Sequence, residues 1–400
     1  MNDVQTIADS LAAELNRAVF IDDASFRPLA ASAQLGRVDD ARVQALLSRS
    51  PTQEHLRYFT QCGVINARVP LRVPGSDVHG LLPRMVVPIV GDERVEGRLW
   101  LVDADPALTS SEIEQAAAAG RHLSVVLRGA NSVARQKTAQ GDQLLGDLQR
   151  AGARRRQALC VQLRDNFGLH RLDMAYPAVV EFRSAADRVE VGAPVLDRLV
   201  SARDAFVDLL GVPSVAARVT DDALSAVLSV SGTDRDVLNL VQTAAAKASL
   251  LHGLEVMGVG VGSAMVTSDG LGAAMDRAQY ACRIARSVSL FERAARWSGL
   301  GEYQLFYAVP WNRDGVEAIH PGVAELLDAH HTTVASTLLC YLEREGDVAD
   351  TARALNIHRT TLYYRLERAT EAVGGQIAGN ARFPIHAALR LAHLSGLIDA

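Results

Sequence analysis

The 400-residue chain reads as a multidomain protein, α/β over its first three quarters and all-α at its C-terminal end. Three observations predict this. Short apolar runs bounded by Gly, Pro and Asp recur in two groups, at residues 18–103 and 178–261, each flanked by stretches of helical period. Between the groups, residues 130–169 carry Leu144, Leu148, Leu159 and Leu163 at helical spacing and no strand-like run. Residues 347–368 read as two short helices joined by a tight turn.

In the first α/β part, residues 1–130, Val4–Asn16 is a helix, and Ala18–Asp22 and Pro28–Ser32 are short strands around a turn. Helices over Val38–Ser48 and Thr52–Cys62 follow, then strands over Ala67–Val73, Met85–Val90 and Gly97–Asp103. Pro74-Gly75 and Gly91-Asp92 punctuate the strands, and Ser110–Arg128 closes the part as an Ala-rich helix capped by Thr109 or Ser110. Residues 131–170 form a helical linker interrupted by Gly141, Gly146 and Gly152, with an apolar stripe that could pair with its copy in a dimer. In the second α/β part, residues 171–300, strands are expected at Ala178–Phe182, Val215–Val219, Leu224–Ser229 and Val256–Val261. Helices are expected at Val195–Leu210, Asp234–His252 and Leu271–Arg286. Pro310 and Pro321-Gly322 mark a hinge before the last module, residues 325–400.

Composition narrows the function. Hydrophobic residues make up 48% and charged residues 22%, as in ordinary globular proteins, and the net charge of -5 argues against coating nucleic acid with the whole surface. A sequence-specific reader needs only a local basic face, so that value leaves one open. Lys137 and Lys247 are the only lysines beside a large number of arginines, a bias of genome composition rather than of function. Cys62, Cys160, Cys282 and Cys340 are scattered, which predicts buried free thiols in a reducing compartment. The mixed polarity of residues 1–13 and the lack of a long apolar run predict a cytoplasmic protein without a signal peptide or membrane contact. No metal or other cofactor is expected. His330-His331 lack partner ligands, and His386 and His393, seven residues apart on one helix, are too far apart to share an ion.

The C-terminal pattern carries the function. Asp347 is an N-cap, Ala352 is small where two crossing helices approach, and Asn356 suits left-handed turn geometry. Val348, Leu355, Ile357, Leu362 and Leu366 form the shared apolar seam, with Ala369 on the same stripe of the second helix. That leaves Arg359, Thr360, Tyr363 and Tyr364 free, flanked by Arg365 and Arg368, as in a helix-turn-helix that enters the DNA major groove. His358 and Arg359, at the helix start, are placed for base edges, Arg by forking onto guanine. Tyr363 and Tyr364 either touch a thymine methyl or a phosphate, or pack against a neighbouring helix. Thr361, Arg365 and Arg368 are placed for phosphates.

These residues resemble a known family. The leading helix Leu338-Leu-Cys-Tyr-Leu-Glu-Arg, then Thr351-Ala-Arg-Ala-Leu-Asn-Ile-His-Arg, Thr361-Leu-Tyr-Tyr-Arg-Leu-Glu-Arg and the closing Ile385-His-Ala-Ala-Leu-Arg-Leu-Ala are similar to the C-terminal helix-turn-helix of PucR/CdaR bacterial transcriptional regulators. Thr360 stands where the family usually has Asn, and Tyr363 where it often has Arg or Val, so an operator sequence does not carry over. The element order of residues 1–130, with Gly97-Arg-Leu-Trp-Leu-Val-Asp as a late central strand, resembles a GAF-like sensory domain. Such domains often bind small molecules. An effector pocket there would be lined by Arg68, Arg72, Arg84 and Trp100, the alternative being surface arginines and a core Trp.

The second α/β part resembles the degenerate GGDEF-like domain of the same regulators, matched by Gly258-Val-Gly-Val-Gly262 and Ala278-Gln-Tyr-Ala-Cys-Arg283. Nucleotide cyclases of that fold hold paired glycines and metal carboxylates at a hairpin tip. Here the tip reads Arg218-Val-Thr-Asp-Asp-Ala-Leu224, and the first strand ends Glu181-Phe-Arg without the expected Asp, so no enzyme activity is predicted. Asp221 and Asp222 are turn residues, and the glycines of 258–262 serve packing, not a phosphate. The resemblance implies a DNA-binding transcriptional regulator that responds to a small-molecule effector and meets RNA polymerase. It would read two half-sites as a homodimer, because one helix-turn-helix buries little DNA surface. The alternative is a signalling or interaction protein of nucleotide-cyclase-like fold that does not bind DNA.

Overall fold

The computed structural model describes residues 2–33, 39, 51–91, 94–103, 106–167, 174–184, 195–212, 215–220, 222–264, 270–328, 332–375 and 377–399. These fall into two compact units, Met1–Arg286 with Glu292–Ser298, and Ser287–Phe291 with Gly299–Ala400. The architecture is mixed α/β with a helical C-terminal module.

The first unit opens with helix α1 (Asn2–Leu15), which ends at Asn16 in left-handed geometry, φ 51°. A five-stranded antiparallel sheet follows, in the order β2-β1-β5-β4-β3. Its strands are β1 (Val19–Asp23), β2 (Pro28–Ala31), β3 (Leu71–Val73), β4 (Arg84–Val90) and β5 (Val95–Val102). Alternation sorts the side chains. Val19, Ile21, Met85, Val87, Leu99 and Leu101 pack with α1 and the first part of α3 (Ser110–Arg150). Phe20, Val86 and Trp100 point the other way, into a core shared with Phe26, with Leu56 and Phe59 of α2 (Gln53–Gln61), and with the second sheet's helices. Strand β3 is shorter than the predicted Ala67–Val73. The predicted helix Val38–Ser48 lies outside the described residues, apart from Asp39.

Helix α3 begins at a capping box, in which Thr109 accepts from the Glu112 backbone N–H while the Glu112 carboxylate accepts from Thr109. The sequence predicts its end near Arg128 and breaks at Gly141 and Gly146. Instead the helix runs unbroken to Arg150, and α4 (Ala153–Phe167) follows. The two glycines are accommodated for close packing. A methyl at Gly141 would meet the Phe167 ring at 3.0 Å, and one at Gly146 would collide with the Arg218 guanidinium. Leu144, Leu145, Leu148, Leu159 and Leu163 are buried against Ala216, Val227, Leu271 and Ala274. The apolar stripe read as a seam for a second copy is therefore occupied within the chain.

The second sheet, β10-β9-β6-β8-β7, is antiparallel except for the β9–β10 pair. It comprises β6 (Ala175–Ser184), β7 (Val215–Val219), β8 (Ala223–Ser229), β9 (Leu254–Val261) and β10 (Ala294–Arg296), the last unpredicted because it is only three residues long. Helices α5 (Val195–Leu210) and α6 (Asp234–His252) join one side's core, and α7 (Leu271–Ser287) lies across β9. Gly258, Gly260 and Gly262 share one strand face, and Ala274, Ala278 and Cys282 share one helix stripe. A Cβ at Gly260 would run into the Ala278 carbonyl and the Cys282 backbone, and one at Gly262 into the Ala274 carbonyl. The glycine run thus brings helix backbone onto strand backbone.

In the second unit, α8 (Arg313–Ile319), α9 (Pro321–Glu325), α10 (Thr332–Glu343), α11 (Val348–Ala354), α12 (Arg359–Ala372) and α13 (Arg382–Leu394) pack on one another. Val316, Val323, Leu338, Leu339, Leu362, Ile385 and Leu389 are buried among them. Pro321-Gly322, expected as a hinge, opens a short packed helix. Pro321 is the first residue of α9, where its missing N–H costs nothing, and His320 caps that helix through Val323 N–H at 3.3 Å. Gly322 abuts the Ala372 carbonyl at the end of α12. Among the described residues no helix is long and apolar enough to cross a membrane.

Candidate nucleic-acid interface and effector cavity

The turn between α11 and α12 is built as the residue types require. Asp347 accepts the Asp350 backbone N–H at 2.8 Å, and that bond holds its carboxyl below the usual carboxylate range. Helix α11 ends in a two-bond cap: Asn356 N–H reaches the Arg353 carbonyl at 3.1 Å, and Ile357 N–H reaches the Ala352 carbonyl at 3.0 Å. Asn356 supplies the left-handed residue, φ 50°. Ala352 is buried, as is Thr351, whose hydroxyl donates to the Asp347 carbonyl at 2.5 Å. A fully buried Thr was invisible to an argument from apolar spacing.

Helix α12 buries Leu362, Leu366 and Ala369 and leaves Arg359, Thr360, Thr361, Tyr363, Tyr364 and Arg368 exposed. Tyr363 is 58% and Tyr364 59% exposed, so neither is packed away, and the Arg368 guanidinium lies 6.0 Å from the Tyr364 ring centre. Two residues differ from the rest of the face. His358 folds back as the N-cap, its Nδ1 3.3 Å from the Thr360 backbone nitrogen and 2.7 Å from the Thr360 hydroxyl. Arg365 is half-buried and its Nη1 donates to the Thr337 hydroxyl of α10 at 3.3 Å. The sequence marks both as charged or polar and cannot show that each turns inward.

The four predicted effector residues do not form one site. Arg84 and Trp100 line a cavity of about 50 Å³ on the inner face of the first sheet, together with Phe20, Asp22, Phe26, Asp39, His55 and Phe59. Arg72 lies elsewhere, donating to Asp103 and to the Leu108 carbonyl, both at 2.7 Å. Arg68 stands on a wider, mixed-charge cleft with Arg94, Arg135 and Arg198. In the cavity, Arg84 is paired with Asp39, and burial lowers its pKa against that pull. Asp22, missed by sequence reasoning, accepts from Trp100 Nε1 at 2.8 Å. Burial raises its carboxyl to about 8 although Arg98 opposes the shift. His330 and His331 lie outside the described residues, while His386 receives a bond from Arg390 Nε at 3.3 Å.

This helical module has the form of a DNA-reading helix-turn-helix, and residues 334–391 match the family model for the PucR C-terminal helix-turn-helix domain. The C-terminal module is a PucR-type helix-turn-helix. Similarity continues beyond it. The DNA-binding transcriptional activator AdeR of Bacillus subtilis (strain 168) is 21% identical, over 98% of this chain and 93% of its own. The proline-responsive transcriptional activator PutR of the same organism is 21% identical, over 92% and 91%. Both are named as regulators of transcription and neither as an enzyme. A solved structure, the regulator of polyketide synthase expression from Bifidobacterium adolescentis, is 19% identical with a TM-score of 0.29, over 64% of this chain and 97% of that one.

Proposed function

We propose that the chain is a sequence-specific transcriptional regulator that reads two DNA half-sites as a homodimer and responds to a small-molecule signal. The observation that carries this is the exposed polar face of α12, set against a buried Leu362, Leu366 and Ala369 stripe. In this reading Arg359 forks onto a base edge, with Thr360 and Tyr363 beside it. Thr361, Tyr364 and Arg368 contact phosphates. His358 and Arg365 shape and hold the reading helix, and their contacts to DNA are secondary. Residues 1–130 serve as a GAF-like sensor, 131–170 as a helical linker, 171–300 as a silent GGDEF-like domain and 325–400 as the DNA-binding domain. The full-length similarity to two transcriptional activators supports a regulator over an adaptor that has lost DNA binding.

Fluorescence anisotropy with the chain's own promoter fragment tests this. Salt-sensitive binding that exceeds binding to a scrambled duplex is expected. Equal affinity for both duplexes would refute it.

A further inference from the structure

The cavity on the inner face of the first sheet holds a buried carboxyl oxygen that an ion pair with Arg98 offsets but no hydrogen bond satisfies. Asp22 Oδ1 is buried and has no hydrogen-bond partner, while Oδ2 is taken by Trp100. Arg98 Nη1, its ion-pair partner, stands 4.0 Å away and spends its hydrogen bonds on the carbonyls of Asp23 and Ala24, while the guanidinium stacks on Phe26 at 3.7 Å. Arg98 does not line the cavity. Of the ionisable groups that do, Arg84 and Asp39 neutralise each other. An unpartnered buried carboxyl oxygen normally costs enough that proteins fill it with a donor.

The walls are aromatic. Phe20 and Trp100 face each other across β1 and β5, Phe26 and Phe59 are stacked with centroids 5.9 Å apart, and Trp100 is 5.0 Å from Phe59. Aromatic faces attract cations, and several rings around one site form the kind of cage that takes an organic ammonium. A volume of about 50 Å³ admits only a compact body.

We infer that this cavity binds a small organic ammonium, its N–H donated to Asp22 Oδ1 and its carbon body held by Phe20, Phe26, Phe59 and Trp100. The ammonium comes either as a simple amine or as part of an amino acid, whose carboxylate would then reach towards Arg84. The inference deepens the reading of residues 1–130 as the signal-receiving part. It is measured without DNA, so its failure is separate from failure of DNA binding.

The test is calorimetric titration of the full chain with n-propylammonium, sodium propionate, L-alanine and L-proline at equal ionic strength. Binding of propylammonium or of an amino acid, with propionate silent, is expected. Asp22→Asn should weaken that binding at least tenfold while circular dichroism stays unchanged. Binding of an amino acid but not of propylammonium would assign a contact to Arg84, and Arg84→Gln should then remove it. Binding of propionate alone, no binding of any probe, or binding undiminished in a folded Asp22→Asn variant would overturn the inference. The comparison of propylammonium and the two amino acids with propionate on the unaltered chain decides between a cation and an anion site even if Asp22→Asn does not fold.

Discussion

Arg365 Nη1 donates to the Thr337 hydroxyl at 3.3 Å, tying α12 to α10, the helix that precedes the helix-turn-helix. An arginine that holds its own helix should behave unlike an arginine that reads DNA. Arg365→Ala should lower the melting stability of the C-terminal module by about 0.5–1.5 kcal/mol and weaken binding alike on every duplex. Loss of preference at a single base pair, without loss of stability, would contradict the bracing role.

Arg359 gives the opposite signature. It is exposed at the first turn of α12, so Arg359→Ala should change stability by no more than about 0.5 kcal/mol. Operator affinity should fall by about 1–3 kcal/mol and one base position should lose its preference. Anisotropy on a set of single-base operator variants reads both effects.

Asn356 holds the bend with φ 50°. Asn356→Gly should be tolerated, whereas Asn356→Val should cost about 1–2 kcal/mol, because a β-branched side chain resists left-handed geometry. Urea denaturation of both variants checks the order, and equal stability would count against the turn as the source of the effect.

The C-terminal module was the most legible part of the sequence, and the reason is locality. Asp347, Ala352, Asn356 and the Leu362/Leu366/Ala369 stripe act within a few residues of one another, so spacing alone places them. The inward turn of Arg365 depends on Thr337, 28 residues earlier, and spacing says nothing of it. The same holds in the first sheet. Arg84 and Trp100 could be named as lining residues because their types are distinctive, but Asp22 meets Trp100 only through the β1–β5 pairing, 78 residues apart in sequence. Gly141 and Gly146 read as breaks because their partners, Phe167 and Arg218, lie on other elements.

Gly260→Ala tests the packing role of the glycine run. The new methyl meets α7 backbone, which cannot rotate away, so a loss of about 1–3 kcal/mol is expected from overpacking. Thermal unfolding followed by circular dichroism measures it. A neutral outcome would mean that α7 can move off β9 at little cost.

Asp22 sets a pH dependence with a definite sign. Its carboxyl ordinarily titrates at 3.8 and in the unliganded fold at about 8, so between those values the unfolded chain is ionised there and the empty folded chain is protonated, and an ammonium seated at Oδ1 would take the place of that proton. The folded state binds the extra proton, and its stability from this group is full below pH 3.8 and falls as pH rises towards 8. Asp22→Asn should flatten that part of the stability profile. Parallel profiles for the two proteins between pH 4 and 8 would show that the carboxyl is ionised in the fold.

Selection of duplexes from a random pool by the full chain, followed by sequencing, tests the DNA-reading face most directly. Enrichment of an inverted repeat is predicted, with half-site centres about 10 base pairs or a multiple apart, and Arg359→Ala should abolish the preference at one position in each half. A pool that emerges unenriched, or the same enrichment from wild type and Arg359→Ala, would contradict it.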